Sequence, residues 1–151
     1  MTKLYLAHPI TGLSGDEVFG YYDKWVKELT HTGFEILSPT TAKGYLRTES
    51  NYKSHGYDKP VSTDKAIVGR DSWMVNQADI VLIDLTGAEQ VSIGCVSELA
   101  WAWCQGKHTI VVMNDDNPHC HAFILHQAHI IFPTMDDALE YLYQLATGDT
   151  G

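Results

Sequence analysis

The stretch "DIVLIDLTGAEQVSIGCVSELAWAWCQGKHTIVVM", residues 79–113, contains two apolar segments of strand length with a helical segment between them. Residues 79–85 are a nearly continuous apolar run, which is typical of a strand that is covered on both faces. A loop leads to a helix predicted over 92–105, which stops at Gly106, and 108–113 form the next strand. This order predicts a strand–helix–strand unit with parallel strands.

Strands and helices alternate in the same way along the rest of the chain. The predicted strands are 3–8, 34–39, 79–85, 108–113 and 129–132, and the predicted helices lie within 16–33, 63–78, 92–105, 115–128 and 134–146. Residues 40–62 are polar and without a clear period, so we expect a long functional or mobile loop there. The alternation predicts an α/β fold, a three-layer sandwich in which a five-stranded parallel sheet of flavodoxin-like or Rossmann-like type has helices on both faces. We expect residues 1–151 to form a single domain.

Composition and charge limit the possible partners. The chain has 10 Lys and Arg residues against 19 Asp and Glu, a formal net charge of -9 at pH 7. Nucleic acid and membrane are therefore not expected as partners, because binding them requires clustered cations. A small phosphorylated ligand is compatible, because a few backbone N–H groups and hydroxyls can hold it. No apolar run approaches the roughly 20 residues that span a bilayer. The three cysteines form no CxxC pair and no signal peptide is evident, so we expect a reduced, cytoplasmic protein.

One carboxylate, Glu98, lies in a predicted helix that has almost no other charge. Glu98 shares a face of helix 92–105 with Gly94 and Trp101. The missing side chain of Gly94, one turn earlier, leaves a gap beside the carboxylate. A second stripe of this helix is apolar and consists of Ile93, Val96, Ala100, Trp103 and Cys104. The alternative for Glu98 is a solvated position on an exposed helix face.

A second carboxylate, Asp71, lies in the middle of the apolar stripe of helix 63–78. A buried ionised carboxylate is costly unless it is hydrogen-bonded or paired. The alternative to a functional role is therefore a structural ion pair, for example with Arg70. Two isolated carboxylates near one edge of a sheet also suit chemistry at a glycosidic carbon. One can act as nucleophile or stabilise an oxocarbenium ion, and the other can manage a proton.

Three segments, in this order, resemble a known enzyme superfamily. "YLAHPITG" (5–12), "RDSWMVNQADIVLIDL" (70–85) and "SIGCVSELAWAWCQGK" (92–107) are similar to the corresponding segments of the nucleoside 2-deoxyribosyltransferase superfamily. That superfamily includes transferases that exchange bases on deoxyribose and hydrolases that cleave (deoxy)nucleoside 5'-monophosphates. The resemblance extends from residue 5 to the 120s. It implies an enzyme with the fold predicted above.

The resemblance also implies roles for single residues. Glu98 matches the catalytic glutamate that attacks C1', and Asp71 matches the aspartate that assists protonation of the departing base or positions the glutamate. Tyr5 matches a frequent aromatic residue of the first strand. The ligand-binding loop after that strand corresponds here to His8, Ile10, Thr11 and Gly12. Where many of the hydrolases have an arginine in this loop, the chain has Thr11.

Ser92 bears on the branch of the superfamily. The nucleotide hydrolases have a serine at the start of the catalytic helix, where its hydroxyl and adjacent backbone N–H groups hold the 5'-phosphate, and here Ser92 and Gly94 occupy that place. A simple helix cap is the alternative role for Ser92. His121 stands where the hydrolases have a serine, in a segment that reaches the active site of a neighbouring subunit. The resemblance therefore implies a homodimer with a shared active site.

The predicted function is hydrolysis of the N-glycosidic bond of a (deoxy)nucleoside 5'-monophosphate, which releases free base and sugar phosphate. The alternatives are base exchange between deoxynucleosides and a non-catalytic nucleotide-binding module. No metal is expected, because the histidines of residues 119–129 fit no usual zinc pattern. No cofactor is expected either, because the chain has neither a GxGxxG nor a P-loop motif.

Overall fold

The computed structural model describes residues 1–41 and 44–148, with residues 45 and 48 described by their backbone alone. The strands are β1 (Lys3–Ala7), β2 (Glu35–Leu37), β3 (Ile80–Asp84), β4 (His108–Val112) and β5 (Ile130–Phe132). The helices are α1 (Gly15–Thr30), α2 (Asp64–Gln77), α3 (Ile93–Cys104), α4 (Ala122–Gln127) and α5 (Met135–Thr147). Two short 3-10 turns, Gly44–Thr48 and Pro60–Ser62, lie in the β2–α2 connection.

The five strands form one parallel sheet in the order β2-β1-β3-β4-β5. In its centre Tyr5 pairs with Val81, and Ile83 pairs with Val111. This is the flavodoxin-like order, in which the direction of winding reverses between β1 and β3. The predicted fold class is therefore confirmed. Ligands of such sheets bind beyond the carboxyl ends of the strands at that reversal.

Each face of the sheet has its own hydrophobic core. Leu4 and Leu6 of β1 belong to the core that α1 and α5 cover, whereas Tyr5 and Ala7 belong to the core under α2 and α3. This alternation follows from the two-residue period of a strand. It places Tyr5 on the same side of the sheet as the two helices that carry Asp71 and Glu98.

The loop after β1 is held by the long β2–α2 connection. The N–H of Gly12 donates to the carbonyl of Tyr52 at 2.9 Å, and the N–H of Tyr52 donates to the carbonyl of Leu13 at 2.7 Å. Helix α1 then begins at Gly15, where a Cβ would overlap the backbone carbonyl of Arg47. Glycine is required there by this close approach of two backbone segments.

Several features of the helices correct or refine the sequence analysis. The apolar stripe of α3 is not a core face, because Ile93 is 81% exposed and Trp103 46% exposed. The Arg70 guanidinium donates to the carbonyl of Val61 at 2.8 Å, and the ion pairs found among the described residues do not join Arg70 to Asp71. In the described part of the chain, no helix is long and apolar enough to cross a membrane.

Candidate active site

Glu98 lies in the second turn of α3 and is only 7% exposed. The solvated alternative is therefore wrong. Gly94 precedes it by one turn and is exposed, and a Cβ built there would lie 3.8 Å from the Glu98 Oε1 atom. The predicted gap beside the carboxylate is thus present. Glu98 is buried among protein groups on most sides and can be approached past Gly94.

Two buried phenols face the carboxylates. Burial raises the pKa of Tyr5 well above its ordinary value, and the negative charges of Glu98 and then Asp71 raise it further. The Tyr5 hydroxyl approaches Glu98 as a hydrogen-bond donor without reaching tight hydrogen-bond geometry. Burial likewise raises the pKa of Tyr22, with contributions from Cys95, Glu98 and Asp71, while the backbone N–H of His8 acts in the opposite direction. Both phenols therefore stay protonated at neutral pH and can only present neutral O–H groups to the carboxylates.

Asp71 belongs to the same group of side chains. It is half-buried on α2, and its charge acts on both Tyr5 and Tyr22. We call Tyr5, Tyr22, Asp71 and Glu98 the tyrosine–carboxylate cluster. Two carboxylates near neutral phenols, in a partly dry environment, can divide the work of an acid and of a nucleophile or charge stabiliser.

The thiol of Cys95 adjoins this cluster but is not reactive. Cys95 is 3% exposed, and burial, followed by the charge of Glu98, raises the pKa of its thiol well above the ordinary value. A thiol that stays protonated is a poor nucleophile. Cys95 is therefore a poor candidate nucleophile, and Glu98 and Asp71 are the stronger candidates in this cluster.

The N-terminus of α3 is fixed by a buried histidine. Ser92 caps the helix, since its Oγ accepts the N–H of Cys95 at 3.3 Å. The N–H of Ser92 itself donates to Nε2 of His119 at 2.8 Å, and Nδ1 of His119 lies 2.8 Å from Oδ1 of Asn117. The Asn117 amide in turn donates to the carbonyl of Leu85 at 2.7 Å. The capping role predicted for Ser92 is therefore present.

A second polar cluster lies at the carboxyl ends of β1 and β3, toward α1. The carboxylate of Asp84, 1% exposed, accepts the phenol of Tyr21 at 2.5 Å and both the N–H and the hydroxyl of Thr86, at 3.0 and 2.7 Å. His8 stacks on Tyr21 with ring centroids 3.9 Å apart, and its Nδ1 donates to the carbonyl of Asp84 at 2.8 Å. These four residues, His8, Tyr21, Asp84 and Thr86, line an open cleft of about 510 Å³ that extends to the start of α5.

The cleft and the tyrosine–carboxylate cluster are adjacent. The rings of Tyr21 and Tyr22 contact edge to face, with centroids 5.1 Å apart. Tyr22 belongs to the tyrosine–carboxylate cluster, and Tyr21 belongs to the cleft. The two groups of polar side chains therefore meet at the reversal point of the sheet, where a ligand is expected.

The comparisons with known proteins identify the family of the chain. The family model for nucleoside 2-deoxyribosyltransferase matches residues 4–141 of the chain. The chain belongs to the nucleoside 2-deoxyribosyltransferase family. Members of this family are enzymes, as the sequence analysis predicted. No match was found among curated proteins.

Solved structures show the family's fold at low sequence identity. A conserved protein from Enterococcus faecalis V583 is similar with a TM-score of 0.64 and 19% identity, over 96% of this chain and 99% of that one. A 2-deoxyribosyltransferase from Bacillus psychrosaccharolyticus has a TM-score of 0.65 and 17% identity, over 93% and 92%. The CMP N-glycosidase BcmB of Clostridium botulinum has a TM-score of 0.56 and 15% identity, over 93% and 98%.

The remaining residues predicted for the site of this nucleoside 2-deoxyribosyltransferase family member lie at different distances from the cluster. Ile10 is half-buried and packs on the core, while Thr11 and Gly12 are exposed. The N–H of Gly12 is already used by Tyr52, so it is not open to a ligand in this conformation. His121 is exposed and caps α4, where its side chain accepts the N–H of Phe123 at 3.2 Å.

Three buried polar residues of the site were missed by the sequence analysis. Asp84 was absorbed into an apolar run, although an acidic residue at the carboxyl end of a buried strand is itself a signal of a site. Asn117 and His119 lie in an irregular loop, where spacing gives no direction for side chains. For His119 the sequence carried no signal that distinguished it from His121.

Proposed function

We propose that this protein hydrolyses the N-glycosidic bond of a (deoxy)nucleoside 5'-monophosphate, with Glu98 as the catalytic carboxylate. One observation carries the proposal. A nearly buried carboxylate stands beside two neutral phenols and a second carboxylate, and it is approachable past a glycine. A buried carboxylate is costly unless it is hydrogen-bonded or paired, and a catalytic role is a reason to keep one at this position.

The chemistry follows from the two carboxylates. Glu98 attacks C1' of the sugar, or stabilises the oxocarbenium ion, while the C1'–N bond breaks and its electron pair leaves with the base. Asp71 supplies the proton that the departing base needs, or holds Glu98 in place. Water then attacks C1' and gives up a proton that returns to Asp71, which restores the Glu98 carboxylate and yields the sugar phosphate. Tyr5, kept protonated by burial, faces Glu98 as a neutral hydrogen-bond donor, and the neutral Tyr22 phenol lies near the same carboxylate.

The 5'-phosphate belongs at the N-terminus of α3. Helix N-termini attract anions through unpaired N–H groups and the helix dipole. The Oγ of Ser92 accepts a hydrogen bond as a cap but keeps its own proton to donate. The neighbouring N–H groups of Ile93 and Gly94 complete the set of donors. Thr11, exposed in the loop after β1, takes the place where many hydrolases of this superfamily have an arginine.

Base exchange between deoxynucleosides is the second candidate. It is supported by the family model, whose description is that of a transferase. The two reactions share the first half, in which Glu98 takes the sugar from the base, and differ in whether water or a second base then attacks C1'. Cleavage that proceeds without a second base separates them.

We also propose that the protein acts as a homodimer in which α3 and α4 of the two copies face each other. The apolar side chains exposed there include Ile93 (81%), Phe123 (70%) and Leu125 (49%). Apolar side chains exposed on adjacent helices mark interaction surfaces. His121 stacks on Phe123, with ring centroids 5.6 Å apart, so it would lie at the partner's site. Sedimentation at several protein concentrations tests this, and a monomer at every concentration contradicts it.

The function is tested by chromatography of free base. The wild type and Glu98→Gln are incubated with a panel of ribo- and deoxyribonucleosides and their 5'-monophosphates, each with and without a second base. The expected result is release of base from a monophosphate, lost in Glu98→Gln. Exchange that requires the second base moves the protein to the transferase activity. If no compound is cleaved but a monophosphate raises the melting temperature, the protein is a binding module and the proposal fails.

A further inference from the structure

His119 connects the loop after β4 to the start of α3 through both of its ring nitrogens. It is 1% exposed. Because a backbone N–H can only donate, Nε2 must accept the N–H of Ser92. The proton of the neutral ring is therefore on Nδ1, which donates to Oδ1 of Asn117. Neither nitrogen is left over for a ligand or for proton transfer.

The orientation of the Asn117 side chain, which binds His119, is also defined by its hydrogen bonds. The Asn117 amide nitrogen donates to the carbonyl of Leu85, so the Asn117 oxygen is the atom that faces His119, and it also accepts the backbone N–H of His119 at 3.0 Å. Hydrogen bonds thus run from Ser92 through His119 and Asn117 to Leu85, with every donor and acceptor assigned. This series of hydrogen bonds joins the end of β3, the loop after β4 and the cap of α3.

The chain of hydrogen bonds decides which donors a ligand can use at α3. The Ser92 N–H donates to His119. The Ser92 hydroxyl proton and the N–H groups of Ile93 and Gly94 do not take part in this series of hydrogen bonds. The position of these donors depends on where the Ser92 backbone is held. His119 holds it without touching the ligand.

We propose that His119, as a neutral imidazole protonated on Nδ1, is a positioning residue for the group that binds the 5'-phosphate of the substrate. This rests on the function proposed above. The loss of the imidazole acceptor leaves the part-buried Ser92 N–H without its partner, so the Ser92 backbone moves or the N–H binds water, at a cost in free energy. The affinity for a phosphorylated substrate should then fall. The rate of the reaction at C1' should change little, because Glu98 and Asp71 are still in place.

The test compares two substitutions of the same residue. In His119→Gln the side-chain oxygen can accept the Ser92 N–H and the amide can donate to Asn117, whereas His119→Leu fills the space and does neither. We expect His119→Leu to raise KM for the cleaved monophosphate about tenfold, with kcat changed less than about twofold, and His119→Gln to restore KM. His31→Gln, at an exposed position, is the control. An unchanged KM in His119→Leu, or an equal rise for the corresponding nucleoside without phosphate, overturns the proposal.

A second measurement separates this proposal from the proposed function. Nitrogen-15 NMR of the wild type should show His119 protonated on Nδ1 alone, and the Ser92 amide should exchange slowly in the wild type and His119→Gln but not in His119→Leu. If no monophosphate is cleaved, the proposed function fails, and ribose 5-phosphate becomes the probe. Its binding should shift the Ile93 and Gly94 amides, and should be weaker in His119→Leu than in His119→Gln. Equal binding by both variants, or none by the wild type, overturns the positioning role.

Discussion

The hydrogen bond between Tyr21 and Asp84 allows a stability prediction with a magnitude. The Tyr21 phenol donates to a carboxylate that is 1% exposed, at 2.5 Å. Burial, and then the charge of Asp84, raises the pKa of Tyr21 well above its ordinary value, so the phenol remains a donor. Tyr21→Phe removes this donor and keeps the ring, including its stacking on His8.

The expected loss follows from the partners that remain. A hydrogen bond to a charged group contributes about 1.5–3 kcal/mol. Asp84 keeps the two bonds from Thr86, so its carboxylate is not left unpaired and the loss should not exceed about 3 kcal/mol. In a chain of this size, a loss of 1 kcal/mol in the free energy of unfolding lowers the melting temperature by roughly 2–4 °C. The melting temperature of Tyr21→Phe should therefore fall by roughly 3–12 °C.

Urea unfolding followed by circular dichroism measures the effect. Tyr143→Phe on α5 is the matched control, because Tyr143 is 51% exposed, and its free energy of unfolding should stay within about 0.5 kcal/mol of the wild type. If Tyr21→Phe also stays within that range, the Tyr21–Asp84 bond does not stabilise the fold and the description of the cleft is wrong.

Four further changes have defined outcomes. Gly15→Ala should lower the free energy of unfolding by about 1–3 kcal/mol or more, because the new Cβ overlaps the Arg47 carbonyl. Gly69→Ala lies at an open helical position and should raise the free energy of unfolding by about 0.5–1 kcal/mol in the same urea experiment. Burial lowers the pKa of His119 below its ordinary 6.5, so the unfolded chain binds the proton more readily. Stability should therefore fall as the pH drops through that value, and a comparison at about pH 7.5 and about pH 5.5 should show a smaller fall in His119→Gln. Gly94→Leu should reduce base release strongly with little loss of stability, because the new side chain covers the gap beside the carboxylate; full activity in that variant contradicts the approach past this glycine.

The regular part of the fold could be predicted because periodicity determines it. Each predicted strand and helix is present, with ends that differ by a few residues, since the apolar pattern locates an element better than its last turn. The scarcity of other charges in its helix favoured the burial of Glu98, although a solvated position was the open alternative. The family resemblance predicted that Tyr5 and Asp71 lie at the same site as Glu98. The effect of both carboxylates on the pKa values of Tyr5 and Tyr22 agrees with that prediction.

The rest depends on tertiary contacts that a pattern does not contain. Helix α3 is apolar on more than one face, so its sequence does not tell that Ile93 and Trp103 lie outside the core. The loop after β4 has no period, and the choice of His119 over His121 as the buried histidine depends on the position of Asn117. Asp84 was missed because its neighbours are apolar, although its carboxylate ends the strand at the site.

The rate of base release tests most directly whether Glu98 is the catalytic carboxylate. The measurement compares wild type, Glu98→Gln and the exposed control Glu28→Gln on the monophosphate that the wild type cleaves, at saturating substrate. Circular dichroism and melting confirm that all three are folded. We expect that Glu28→Gln turns over like the wild type and that Glu98→Gln releases no base above background. Turnover by a folded Glu98→Gln at the wild-type rate would contradict it.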